Sequence, residues 1–144
     1  MATWGAFEQE APELAAFARE RLAGRLAYLG TVRRDGAPRV NPVSPWIVGG
    51  GLFIRMYPGS AKVRSLERDP RYALHCSVED ADGGGGEVIV SGTARPVADP
   101  RRLAVANRDR SNPDRYVVFE FEVDDVLATT YEGGDEIRRR WPSA

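Results

Sequence analysis

The sequence is poor in three residue types that usually carry chemistry. It has one cysteine, Cys76, one histidine, His75, and one lysine, Lys62, the other basic residues all being arginine. A single cysteine excludes an internal disulfide and a cysteine-rich zinc site, and it suits a reducing compartment. No Ser-His-Asp set, zinc-ligand spacing, P-loop or glycine-rich dinucleotide fingerprint is visible. A formal net charge of −1 leaves no global basic field to attract nucleic acid or an anionic membrane. No apolar run approaches the length of a membrane span. Residues 1–10 lack the basic-then-apolar order of a secretory signal. These absences point to a cytoplasmic protein with neither a nucleic-acid nor a membrane partner. At 144 residues, with no repeat and no linker, the chain is expected to form one domain over residues 1–144.

What is there is turn chemistry at short intervals. Residues 13–23 read as a helix, with Pro12 in its first turn, Leu14, Phe17, Ala18 and Leu22 on one face, and Gly24 at its end. A strand over 26–33 and the turn Asp35-Gly36 lead into a partner strand over 39–47. Its prolines, Pro42 and Pro45, argue for an edge or an interruption. Further strands are expected over 52–56, 72–78 and 88–97, with helices over 61–68 and from Asp99-Pro100 to about 108. Alternation over 117–123 predicts a half-buried strand, and 126–131 with 136–141 a last hairpin around Gly133-Gly134. Many strands joined by short turns, without βαβ rhythm, indicate a mainly β (α+β) antiparallel barrel with peripheral helices.

Chemistry concentrates where Pro58-Gly59 breaks a strand and Ser60 caps the helix that begins at Ala61. A helix N-terminus presents unpaired N–H groups and favours an anion. Ser60 adds a hydroxyl, and Lys62 a point charge suited to phosphate. A merely capping serine and a solvated lysine would account for the same residues. Arg39 and Asn41 share one face of their strand and could read a planar polar ligand, with Arg55 and Met56 close by if the strands pair. Trp46 and Trp141 suit core packing, an interface or ligand stacking. His75 could be a packed residue, a base or a haem ligand. Cys76 reads as buried and inert. Arg138, Arg139 and Arg140 read as solvated or paired with acids. Residues 83–86 and 108–115 are the expected variable rim of a site.

Three runs in this order resemble the pyridoxamine 5′-phosphate oxidase-like superfamily: Gly36-Ala37-Pro38-Arg39-Val40-Asn41-Pro42-Val43, Leu52-Phe53-Ile54-Arg55-Met56, and Gly59-Ser60-Ala61-Lys62 through Asp69-Pro70-Arg71. The later Glu87 to Ala94 strand and Asp99-Pro100 also fit. The resemblance implies a six-stranded antiparallel split barrel, a homodimer with the cofactor at its interface, and FMN or the deazaflavin 8-hydroxy-5-deazaflavin (coenzyme F-420) as that cofactor. By position, Arg39, Val40, Asn41 and Pro42 would line the flavin ring. Met56 and Tyr57 would border the ring and ribityl chain, Ser60 and Lys62 would hold the phosphate, and Arg55 and Ala61 would stand among the cofactor-binding positions. No metal site and no catalytic residue are implied. Ala61 stands where the oxidase itself carries an arginine, and the tail from Glu136 to Pro142 lacks the oxidase's histidine and is closer to actinobacterial members. Pyridoxine phosphate oxidation is therefore not expected. The implied activity is an FMN-dependent oxidoreductase transferring hydride to or from a small organic substrate. The alternatives are a deazaflavin-dependent reductase and a non-enzymatic flavin or small-molecule binding protein.

Overall fold

The computed structural model describes residues 2–143. Its spine is one continuous antiparallel sheet that divides in two. The strands are β1 (Ala27–Val32), β2 (Pro38–Val43), β3 (Trp46–Val48), β4 (Gly51–Met56), β5 (Arg71–Cys76), β6 (Glu87–Pro96), β7 (Val117–Phe121), β8 (Asp125–Glu132) and β9 (Asp135–Trp141). The order is β2-β1-β5-β6-β7-β4-β3, with β8 also pairing β6 and β9 closing on β8. The split barrel is thus mainly β as expected, with nine strands among the described residues rather than six.

The division happens on β6. One edge pairs β5, and the other pairs β8 through residues 87–91 and then β7 through residues 94–96. The chain passes from β7 to β8 across Gly92, held by Glu122 N–H donating to the Thr93 carbonyl (2.8 Å) and Asp124 N–H to that of Ser91 (2.9 Å). A Cβ on Gly92 would lie 2.2 Å from the Glu122 carbonyl oxygen, so only glycine lets the crossing backbone this close.

Four α-helices among the described residues cover the sheet: α1 (Trp4–Glu10), α2 (Pro12–Leu22), α3 (Ala61–Arg68) and α4 (Pro100–Ala106). The bounds of α3 are those expected. Helix α1 was not expected. Thr3 caps it by accepting from Ala6 N–H, and Trp4 and Phe7 are fully buried. Phe7 meets Trp4 edge-on and Trp141 of the last strand, both at 5.1 Å between ring centroids. Trp141 is therefore a core residue.

One strand expectation is sharpened and another needs correction. The run 39–47 is two strands. Proline 45 ends the pairing after β2, an edge strand on β1, and β3 then pairs with β4 on the other branch. The run 117–123 is not half-buried: Val118 packs with Phe53 and Ala106 under α4. Glu122 is buried, paired with Arg95. Glu120 takes both ends of the Arg102 fork, at 2.8 and 2.7 Å. Acidic residues at alternate positions look solvent-facing, but arginines from β6 and α4 cover that face.

Cys76 is buried in the core, with Val88 N–H donating to its Sγ at 3.2 Å. Arg138 pairs with Glu136, Arg140 with Asp125, and Arg139 lies over the Phe17 ring.

Candidate cofactor site

The turn that leaves β4 sets the site. Ser60 N–H donates to the Tyr57 carbonyl across Pro58-Gly59, and Gly59 takes φ +75°. Proline then glycine at the two central positions is the signature of a type II turn, whose second central residue must have positive φ. The turn aims the first residues of α3 at the end of β4. Ser60 occupies the N-cap position with an extended backbone, but its side chain makes no capping bond. Its Oγ is buried and without a hydrogen-bond partner. The expected capping serine is thus a cap by position only, and its hydroxyl is left for something else.

Beside this turn lies a cleft of about 340 Å³, within the size range of small-molecule sites. Lys62 of α3, the Arg55-Met56-Tyr57 end of β4 and Pro42 of β2 line it, so the structure brings these expected residues together. Val43, Ser44, Arg110 and Tyr116 also line it. Of these, only Arg110 falls in a segment marked beforehand, the rim over 108–115. The other wall of α3's first turn is a second cavity of about 310 Å³ lined by Arg39, Ala61, Arg33, Arg34, Arg64 and Arg68, with Asp35 as its one carboxylate. Arg39 and Asn41 lie half-buried on the inner face of β2, and Val40 is 66% exposed on the opposite face. Val40 can meet a ligand on the inner side only through its main chain.

The loop over residues 107–116 forms the far wall of the cleft. Arg55 Nη2 donates to the carbonyls of Ser111 (2.6 Å) and Asn112 (2.8 Å), and its guanidinium lies 4.2 Å from the Tyr116 ring centre. Tyr57 and Tyr116 stack at 5.3 Å. Arg110 lies over the Trp46 ring at 4.9 Å. Burial, and then the neighbouring charge of Arg55, pull its guanidinium below the usual arginine value.

Several buried polar atoms here have no protein partner: Ser60 Oγ, Asn41 Oδ1, Arg39 Nε, Arg55 Nε, Trp46 Nε1 and Arg110 Nη1. Such atoms are rare and costly in a folded protein. Of these residues Arg55 and Arg110 line the cleft, Ser60 stands two residues before Lys62, and Arg39 lines the second cavity. Three lining cations with no lining carboxylate fit a ligand with an anionic end, and the unpartnered polar atoms near them suit a planar polar body. That is the chemistry of a flavin phosphate, so the residues present fit the group that the resemblance implies. His75 does not line the cleft. It is half-buried on the outer face of β5, with Nδ1 against the Cys76 carbonyl. Among the described residues no group of three or more His, Cys, Asp or Glu side chains could hold a metal, and no helix is long and apolar enough to cross a membrane.

Comparison with known proteins identifies the fold and the family. In fold the chain is similar to a conserved hypothetical protein from Mycobacterium tuberculosis (18% identity, TM-score 0.66, covering 82% of each chain). It is also similar to HutZ, the heme storage protein from Vibrio cholerae (19% identity, TM-score 0.59, 79% of this chain and 89% of that one). A third is an F-420 reductase (22% identity, TM-score 0.57, 75% of this chain and 94% of that one). No curated protein sequence matches the chain. The family model for pyridoxamine 5′-phosphate oxidase matches residues 11–130, and the chain belongs to that family.

Proposed function

We propose that the chain is an FMN-dependent oxidoreductase that transfers hydride to or from a small organic substrate. The observation that carries this reading is the cleft where Lys62, Arg55 and Arg110 converge without a lining carboxylate, beside the unpartnered hydroxyl of Ser60. A bound flavin supplies the redox chemistry, which accounts for a site with no acid–base pair of its own. The chain's residues bind and orient. Ser60 and Lys62, at the start of α3, hold the phosphate. Met56 and Tyr57 border the ribityl chain and ring, and Arg39 and Asn41 offer polar contacts from the inner face of β2. Arg55 fastens the loop that walls the cleft.

The outer face of the sheet supports a homodimer. Tyr28 (42% exposed), Val40 (66%) and Ile89 (37%) present apolar side chains there without cover, and an exposed apolar patch of this kind marks an association surface. Because β2 carries Val40 outward and Arg39 inward, a second copy on this face would sit against the strand that borders the cofactor site. A cytoplasmic location follows from the redox argument for the lone cysteine.

The same site suits the deazaflavin coenzyme. Ala61 leaves the phosphate with one cation in the first turn of α3, consistent with a dissociable cofactor, and an F-420 reductase shares the fold. The absorption spectrum of the protein as isolated tests the proposal. A flavin band, with FMN released on heating and turnover of an electron acceptor, is the expected result. A colourless protein that quenches added deazaflavin fluorescence selects the second reading, and bound flavin without turnover a binding protein. Absence of binding to either cofactor overturns all three. A Soret band on haem addition that is lost in His75→Ala would redirect the function to haem.

A further inference from the structure

A phosphomonoester carries nearly two negative charges at neutral pH. The first turn of α3 offers one cation, Lys62, beside the apolar Ala61. Two arginines close by are engaged elsewhere. Arg64 Nη1 donates to the Gly59 carbonyl (2.9 Å), tightening the turn, and Arg55 Nη2 holds two carbonyls of the loop. Arg110 is different. It lines the same cleft as Lys62, and its Nη1 is buried with no hydrogen-bond partner. Its guanidinium lies over the Trp46 ring, 4.9 Å from the ring centre, which limits where it can move. The backbone on both sides is set, since Asp109 and Asn112 adopt positive φ of 58° and 54°, a conformation that costs energy for residues other than glycine. A cation held half-buried beside Arg55, with no lining carboxylate, is in an unfavourable place unless an anion completes it. Arg19 and Arg71 show the alternative, each lying beside a carboxylate: Arg19 with Glu8, Arg71 with Asp69.

We propose that Arg110 is the second arm of an anion clamp with Lys62, and that the clamp selects a phosphomonoester dianion. This rests on the functional reading above for the identity of the ligand, but the clamp itself requires only the phosphate. The loop over residues 107–116 thereby brings a distant part of the chain to the ligand. Specificity for the phosphorylated over the unphosphorylated ligand lies in that loop as much as in α3.

The test uses three probes on the full chain: inorganic phosphate followed by ³¹P NMR, FMN, and riboflavin. Arg110→Ala is expected to weaken phosphate and FMN about 10- to 100-fold, the scale of one charge-assisted hydrogen bond, and to leave riboflavin affinity unchanged. Arg110→Gln keeps a planar group over Trp46 without the charge and is expected to do the same, which guards against a loop that merely opens in the alanine variant. The affinity for FMN should also lose part of its salt dependence in both variants. The clamp is overturned if these variants bind phosphate and FMN as the unaltered chain does, if riboflavin weakens equally, or if the unaltered chain binds no phosphate. Phosphate binding that depends on Arg110 in a chain that takes no flavin would overturn the flavin reading and uphold the clamp.

Discussion

Replacing Ser60 by alanine separates a structural from a ligand-binding role for the hydroxyl by sign. A serine that caps a helix with its side chain normally costs about 0.5–2 kcal/mol when changed to alanine. Here no such bond exists, and Oγ is buried without a partner. An unsatisfied buried hydroxyl is itself unfavourable by about 1–3 kcal/mol. Partial relief of that penalty, set against one lost atom of packing, should raise the unfolding free energy of the ligand-free protein by up to ~1 kcal/mol. With FMN the sign reverses. The variant loses a donor to a charged phosphate, worth about 1.5–3 kcal/mol, so affinity falls roughly 10- to 150-fold. Urea unfolding with and without FMN reads both effects, because ligand stabilisation follows the dissociation constant directly. The variant should be the more stable protein without FMN and the less stable one with it. A ligand-free variant destabilised by about 1 kcal/mol would show that the hydroxyl caps after all. Unchanged FMN affinity would show that it does not meet the phosphate.

Three further outcomes follow from particular contacts. Lys62→Ala should weaken FMN by about 1.5–3 kcal/mol in a titration, and an unchanged dissociation constant would remove Lys62 from the phosphate site. Gly92→Ala should cost about 1–3 kcal/mol or more in urea unfolding, because the added Cβ falls 2.2 Å from the backbone oxygen of Glu122; a neutral result would mean that β7 and β8 do not cross there. The Asp69 carboxyl is held at about 2, below its ordinary 3.8, first by the Arg71 side chain and then by the Arg71 N–H. Its folded value is depressed, so its contribution to the turn after α3 is complete above pH 3.8 and is lost as pH falls through about 2. A carbon-13 NMR titration of Asp69 with a midpoint near its ordinary value would refute the contact, and Arg71→Ala should move the midpoint upward.

What could be read from residues alone was what local chemistry dictates. Pro58-Gly59 fixed the turn, Asp69-Pro70 the end of α3, and the prolines of β2 its place at an edge. These signals act over a few residues, so the order of strand, turn and α3 was legible, and with it Lys62, Met56 and Tyr57. Helix α1 was missed because seven residues carry too little periodicity. Its stability comes from Phe7 against Trp141, contacts at opposite ends of the chain. The burial along residues 117–123 was missed for a related reason: Glu120 and Glu122 look hydrophilic until Arg102 and Arg95 arrive from other elements. Arg110 stood only as part of an expected rim, since nothing near it in sequence shows that its loop folds back on Lys62.

The net charge of −1 illustrates the same limit for electrostatics. It argues against a basic field over the whole molecule, but it averages over arginines in different settings. Away from the site, Arg19, Arg71, Arg95 and Arg102 each lie beside a carboxylate. Around the first turn of α3 the pairing is uneven. One flank has Arg55, Lys62 and Arg110 with no lining carboxylate, whereas on the other Arg33 pairs with Asp35, and Arg34, Arg64 and Arg68 share a cavity with Glu67. A chain balanced overall therefore gathers cations in one place, and a half-buried cation without an acid beside it is favourable where an anion binds. On the function proposed above, the chain's one lysine is the compact point charge that approaches the phosphate, while Arg55 and Arg64 are committed to backbone carbonyls.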